Sequence, residues 1–243
     1  MTSAEFFPYL GAFIIGLSKA GFATGLSLLQ TPLLASAVPA RYAIGLVLPL
    51  LIASDFITVG VYWRRWDLQR IWWPLVGCVV GIAAGMLFVN SLSDAWLRRF
   101  LGAMALILTA LLFIRDIWYP AKTYHPTWWQ GILVGVLAGF SSTLAHAAGP
   151  VMALYLIAQK LDKKMFVGTN AIFFMLLNLF KLPPYIASGL ITWDILKVDL
   201  RLAPILPLGI AVGWGLNRLL PQKAFTYVVY VLLIVTGLQL VLR

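Results

Sequence analysis

Hydrophobic stretches fill most of the chain and are separated by short polar breaks. A helix needs about 20 apolar residues to cross the hydrocarbon core of a bilayer. By this measure the pattern predicts about eight segments, with ends good to about 3 residues, at 6–37, 41–63, 71–90, 96–118, 128–158, 165–190, 200–218 and 224–242. The pattern therefore predicts an all-α polytopic membrane protein.

The first and fifth segments are too long for one ordinary crossing. Each has about 31 residues and would span some 46 Å as a continuous helix, whereas the bilayer core is about 30 Å thick. Each is also interrupted, by "SKAGFATG" at 18–25 and by "SSTLAHAAGP" at 141–150. Broken backbone is tolerated in a bilayer only where it is buried in protein or lines a wet cavity. We therefore expect each of these segments to form a broken or re-entrant helix.

Similar motifs recur in the same order in the two halves of the chain. The matched stretches are "RYAIG" at 41–45 with "KMFVG" at 164–168, "WDL" at 66–68 with "WDI" at 193–195, and "GIAAG" at 81–85 with "GIAVG" at 209–213. This alignment sets Gly16 against Gly139, and Asp55 against Asn178. Any two apolar sequences align to some extent by chance, but the consistent order of the matches favours an internal duplication. The predicted units are a first transmembrane repeat at 1–119, a linker at 120–127 and a second transmembrane repeat at 128–243.

The relative orientation of the two halves stays open at this stage. If each long segment crosses once, the halves are parallel and the loops carry eight Lys and Arg residues on each side. If each long segment is a re-entrant hairpin, the halves are inverted and the count becomes ten against six. Because basic loops prefer the cytoplasmic side, the second count favours inverted halves with both termini outside.

The two interruptions predict an anion-binding site near the middle of the membrane. Glycines permit backbone angles that other residues resist, and Thr24 suits the cap of a half-helix that begins near residue 25. The N-terminus of a helix carries free N–H groups and partial positive charge, and both favour an anion. The candidate substrate-binding residues are Lys19, Gly21, Thr24, Gly25, Ser142, Thr143, His146, Gly149 and Asn178.

Few ionisable residues lie inside the predicted spans, and each has two interpretations. Lys19 either faces the substrate or snorkels to the interface, because a charge at mid-depth is costly. Asp55 is either a proton-coupling carboxylate or a fixed structural partner of Lys19. His146 is a second candidate for coupling, since histidine titrates near neutrality, or it is only hydrogen-bonded in place. Lys181 lies near the end of its predicted span, beside two prolines, where snorkelling is at least as good an explanation.

The composition excludes several other classes of protein. The chain is 62% hydrophobic and 11% charged, whereas soluble domains are near half apolar and a quarter charged. Its net charge is +10, but the basic residues are scattered among short loops, so they indicate contact with membrane lipid rather than with nucleic acid. One cysteine and two histidines argue against a metal site, and we expect neither a metal nor a cofactor.

The interruptions and the stretch after Asn178 carry a resemblance to a known family. With "GLSKAGFATGLSLLQTPLLA" at 16–35, "GFSSTLAHAAGPVMALYLI" at 139–157 and "NLFKLPPYIASGLITWD" at 178–194, the chain resembles the sulfite exporter TauE/SafE family, also called the toluene-sulfonate uptake permease family. The resemblance covers nearly the whole chain and implies export or uptake of sulfite, organosulfonates or related anions. Members often have contiguous glycines in the breaks, where this chain has Ala23-Thr24 and Ala147-Ala148. These side chains are expected to reshape the site.

We therefore expect a secondary transporter of small anions, with protons as a candidate coupling partner, and not an enzyme. The chain has no nucleotide-binding motif, so the energy should come from an ion gradient or from the gradient of the anion itself. One alternative is an intramembrane enzyme such as a lipid phosphatase, which would require acid–base carboxylates and an arginine near the breaks. The other is a non-transporting membrane subunit. A compact chain of this type suggests the bacterial inner membrane, and its oligomeric state stays open.

Overall fold

The computed structural model describes residues 3–19, 25–118, 126–219 and 222–242. Within these ranges the chain forms helices joined by short connections, and it forms no strand. The described helices are α1 (Ser3–Lys19), α2 (Gly25–Ala35), α3 (Ala40–Val61), α4 (Leu68–Ser91), α5 (Asp94–Trp118), α6 (Trp128–Ala145), α7 (Gly149–Ile157), α8 (Lys163–Ala187), α9 (Trp193–Leu202), α10 (Ile205–Leu219) and α11 (Gln222–Leu242).

The polar break predicted before the seventh segment contains a helix, α9. Thr192 caps this helix by accepting a hydrogen bond from the backbone N–H of Ile195 at 3.4 Å. Ile195 and Leu202 are buried on one face of α9, whereas Asp194 and Lys197 are exposed. Most of the charged residues of this break therefore lie on the outer face of an amphipathic helix.

Five of the described helices are long and apolar enough to cross a membrane, namely α3, α4, α5, α6 and α8. Shorter apolar stretches lie in α1, α2 and α11. Large hydrophobic side chains are exposed on the outer surface, including Val228, Val231 and Val235 of α11. A water-soluble surface rarely carries so much contiguous apolar area, whereas lipid requires it. The chain is a multi-pass integral membrane protein.

Two helix pairs approach closely through glycine. In α4 and α6, Gly135 lies against the carbonyl of Pro74, and Gly139 against that of Cys78, so the two helices run in the same direction. In α1 and α10, Gly16 lies against the carbonyl of Leu206. A side chain at any of these glycines would collide with backbone, which is why small residues are favoured where membrane helices touch.

Helices α3 and α8 cross in opposite directions at the centre of the protein. Gly45, near the start of α3, lies against the carbonyl of Leu190, just beyond the end of α8. Gly168, near the start of α8, lies against the carbonyl of Arg65, just beyond the end of α3. Asp55 and Asn178 meet midway between these contacts. The pair is therefore antiparallel and crosses at polar side chains.

Helices α6 and α7 form a hairpin. The Tyr155 hydroxyl of α7 is 3.3 Å from the place that a methyl group on Gly131 would occupy. Gly131 lies about 21 Å along α6 from Ala145, the last residue of that helix. Only a chain that folds back along α6 can bring Tyr155 to this point. The fifth predicted segment is thus a re-entrant hairpin in shape, with its bend between Ala145 and Gly149.

Candidate functional site

One face of α8 carries the side chains that organise the centre of the protein. Phe174, Asn178, Lys181 and Tyr185 follow one another at helical spacing, so they form a stripe along the helix. Asn178, Lys181 and Tyr185 are buried. The first of them bonds to α3, and the other two bond to the end of α6. The stripe therefore connects the first half of the chain to the α6–α7 hairpin.

At the crossing of α3 and α8, Asp55 is paired on both of its carboxylate oxygens. One oxygen accepts from the Lys19 ammonium at the end of α1. The other accepts from the Asn178 amide at 2.6 Å. The Lys19 ammonium also lies 5.8 Å from the centre of the Phe174 ring. Asp55 is fully buried, and these two bonds replace the hydration that its carboxylate loses.

One turn further along α8, Lys181 is fully buried and has only neutral acceptors. Its ammonium lies 2.8 Å from the Ser142 hydroxyl, 3.3 Å from the Ser142 carbonyl and 2.9 Å from His146 Nδ1. These three acceptors match the three ammonium protons. Among the described residues, Lys181 has no carboxylate in an ion pair with it.

The position of His146 determines where its ring proton lies. Nε2 is 3.0 Å from the carbonyl oxygen of Ile44, which can only accept a hydrogen bond. We therefore place the proton on Nε2, and Nδ1 then accepts from Lys181. A second ring proton would face the ammonium directly, so a neutral His146 and a charged Lys181 belong together.

The bend of the hairpin is closed by side chains. His146 has the left-handed backbone conformation, with φ at 53°, and the residues from Ser141 to Gly149 are buried. The Tyr185 hydroxyl donates to the Thr143 carbonyl at 2.6 Å. The Thr143 hydroxyl bonds within α6, to the Gly139 carbonyl at 2.8 Å. Helix α7 then begins at Gly149, three residues after His146.

The buried centre contains two lysines and one carboxylate. The Lys19 side chain is 17% exposed and the Asp55 side chain 1%, and Lys181 is 0% exposed. With both lysines protonated, the three groups sum to a net charge of +1. A buried charge without a counter-ion is costly.

The structure brings most of the predicted site residues together. Lys19, Asp55 and Asn178 form one group, and Ser142, Thr143 and His146 lie at the neighbouring bend. Gly25 and Gly149 are the first residues of α2 and α7, and these two helices pack against each other. Gly21 and Thr24 lie outside the described residues.

The sequence analysis left Lys181 out of the candidate site. Its place beside Pro183 and Pro184 suggested a side chain that snorkels to the interface, but this is wrong, because its exposed fraction is zero. One signal was available: Lys181 lies three residues after Asn178 and four before Tyr185, which puts all three on one helix face. Its neighbours across that face depend on the crossing with α3, which no local pattern reveals.

Comparison with known proteins agrees with the resemblance seen in the sequence. The family model described as sulfite exporter TauE/SafE matches residues 9–240. Searches of curated proteins and of solved structures gave no match. The family match covers nearly the whole chain and includes the α6–α7 hairpin and the α3–α8 crossing. The chain belongs to the sulfite exporter TauE/SafE family.

Proposed function

We propose that the chain is a secondary transporter of small anions, with sulfite or organosulfonates as the preferred substrates, in the bacterial inner membrane. Membership of the family supports a membrane transporter. The substrate would bind at Lys181, beside the α6–α7 bend. The observation that carries this proposal is a fully buried ammonium whose partners are all neutral.

Lys181 is better suited than Lys19 to be the primary contact of the anion. Lys19 already has the Asp55 carboxylate as its partner, and an anion would have to compete with it. At Lys181 an anion would compete only with a hydroxyl and an imidazole nitrogen, which are weaker partners for an ammonium. The N-terminus of α7, at Gly149, adds backbone N–H groups and partial positive charge on the same side.

The glycine contacts support a duplication with inverted halves. Gly139 lies against the carbonyl of Cys78, and Gly16 lies against that of Leu206. In the sequence alignment Gly16 corresponds to Gly139, and Cys78 corresponds to Leu206. Both contacts therefore join one half to the other, and the second contact is the first with the two halves exchanged. If the alignment were due to chance, the aligned residues would have no reason to make matching contacts in the structure.

A second pair of glycine contacts is related in the same way, by exchange of the two halves. Gly81 lies against the carbonyl of Val136, and Gly209 lies against that of Phe13. The counterpart helices α3 and α8 are antiparallel, which is the expected arrangement of inverted repeats. Inverted halves around a central site are a frequent basis of alternating access, in which one half rocks against the other. The Asn178–Asp55 bond joins the halves at the centre, so such a motion would have to break or re-form it.

The proposal is tested by anion flux into proteoliposomes. Purified wild-type protein, Lys181→Met and Lys164→Met are reconstituted at equal density, and the uptake of radiolabelled sulfite and toluenesulfonate is measured. Lys164 is exposed at the start of the same helix, so its substitution is the matched control. We expect Lys181→Met to lose at least about tenfold in uptake, or about 1.4 kcal/mol of anion stabilisation. Lys164→Met should transport like the wild type.

Two results would contradict this proposal. If the wild type moves neither anion, the substrate class is wrong. If a folded, monodisperse Lys181→Met transports at the wild-type rate, Lys181 does not bind the anion. Competition by unlabelled sulfate and chloride then ranks the anions that the site accepts.

A further inference from the structure

Helix α9 carries an acid at the centre of its buried face. Ile195, Asp199 and Leu202 are the buried residues of this helix. Asp194 and Lys197 form an ion pair at 3.0 Å on the exposed face. Helix α9 is not one of the candidate membrane spans, and its charged outer face indicates contact with water. Asp199 therefore lies on the buried face of a helix whose outer face contacts water.

Asp199 differs from Asp55 in the partners of its carboxylate. Both of its carboxylate oxygens are buried, and within the described part of the chain neither has a hydrogen bond. The residue is 5% exposed. An ionised carboxylate in this environment loses hydration without any compensating bond, so the neutral acid is favoured. Burial raises the pKa of Asp199 to about 8.

The helices that pack against α9 present few titratable groups. On α3, Tyr42 lies near enough for the charge of Asp199 to act on it. On α1, the described titratable side chains are Lys19, which is held by Asp55, and Tyr9, which is exposed. On α9 itself, the charged residues Asp194, Lys197 and Arg201 are exposed. The described surroundings of Asp199 thus supply no ammonium or guanidinium that would keep it ionised.

We propose that Asp199 is a proton-binding site, neutral in the resting protein, and that its protonation and deprotonation couple anion movement to the proton gradient. The coupling rests on the proposed transport function, whereas proton binding does not. Asp55 is less suited to this role because both of its oxygens are occupied by Lys19 and Asn178. When Asp199 releases its proton, the charge of the carboxylate acts on Tyr42 of α3.

Reaction with dicyclohexylcarbodiimide tests proton binding without any transport measurement. A protonated carboxylic acid adds across one C=N bond of the reagent. Its proton goes to nitrogen, and the O-acylisourea rearranges to a stable N-acylurea without an oxidant or a leaving group. Peptide mass spectrometry of the purified protein locates the adduct. We expect an adduct at Asp199 at about pH 6 that is lost at about pH 9.5, because the acid form disappears above its raised pKa.

The control for this labelling is Asp194, an exposed acid on the same helix. Asp194 is exposed to water and paired with Lys197, so it should stay unmodified at both pH values, and Asp194→Asn should leave the Asp199 adduct unchanged. Asp199→Asn should abolish the adduct. An unmodified Asp199 at about pH 6, or equal modification of Asp194 and Asp199, would overturn the assignment.

Flux under an imposed pH gradient tests the coupling. Asp199→Asn imitates the protonated acid, so it should keep anion exchange but lose accumulation driven by the gradient. Asp199→Glu keeps an ionisable group and should restore part of the response. If Asp199→Asn accumulates anion as well as the wild type does, the coupling role is wrong. If the wild type moves no anion at all, the proposed function fails, and the labelling still decides whether Asp199 binds a proton.

Discussion

The two halves of the chain each bring one ammonium group to the centre, and they hold it differently. In the first half Lys19, at the end of α1, is paired with Asp55. In the second half the corresponding positions are the neutral Ser142 and Asn178, and the ammonium comes from Lys181 on α8. The first half therefore has an ion pair, whereas the second has a cation among neutral groups. Under the proposed function, Lys19 is then mainly structural and Lys181 is the main contact of the anion.

Lys19→Met should have the largest effect on stability, because it leaves Asp55 buried without its cation. We expect a loss of about 3 kcal/mol in the free energy of unfolding, the usual result of removing one partner of a buried pair. Lys181→Met removes a buried charge and leaves neutral groups behind, so its loss should be smaller. Thermal unfolding of the purified variants in detergent measures both.

The double variant Lys19→Met/Asp55→Asn sharpens the same comparison. Without the carboxylate no unpaired charge remains at the crossing of α3 and α8, so the double variant should recover most of the lost stability. The Asp55→Asn change also gives this position the same side chain as Asn178, its counterpart in the other half. If Lys19→Met alone unfolds at the wild-type temperature, Asp55 does not depend on Lys19 and the contrast between the halves is mistaken.

Local sequence patterns predict some features of this centre and not others. The bend at His146 follows from small residues and a Gly-Pro pair inside an overlong apolar segment, and these signals lie within a few residues of one another. The burial of Lys181 depends on how α8 meets the α6–α7 hairpin, which is determined by long-range packing. Helix α9 was missed because four of its ten residues are charged, and Asp199 was hidden among them. Which charge is buried became clear only from the packing against α3.

Matched glycine substitutions test whether the halves share one packing scheme. Gly16→Ala and Gly139→Ala each place a methyl group against a backbone carbonyl, of Leu206 and Cys78 respectively. We expect each to lower the free energy of unfolding by about 1–3 kcal/mol, as overpacking usually does. The measurement is again thermal unfolding, and the two losses should be similar if the positions are equivalent.

The control for these substitutions is Gly60→Ala. Nothing lies within 4 Å of a methyl group at Gly60, and alanine is the better helix former, so this variant should be neutral or slightly more stable. A large loss for Gly139→Ala beside no loss for Gly16→Ala would break the equivalence of the two helix pairs.

The smallest effect is expected at the aspartates of the matched "WDL" and "WDI" stretches. Asp67 caps α4 by accepting from the Gln69 N–H at 3.1 Å, and it pairs with Arg70 at 2.9 Å. Its counterpart Asp194 caps nothing, since Thr192 has that role in α9, and its side chain is 89% exposed. Asp67→Ala should therefore lower stability by about 1 kcal/mol. Asp194→Ala should have almost no effect, because exposed ion pairs contribute little.

Asp67→Asn separates the two contributions of Asp67, since an amide oxygen can still cap the helix but carries no charge for Arg70. If the unfolding temperature falls equally for Asp67→Ala and Asp194→Ala, the two matched aspartates contribute equally to stability. The two halves would then differ less outside their centre than these contacts indicate.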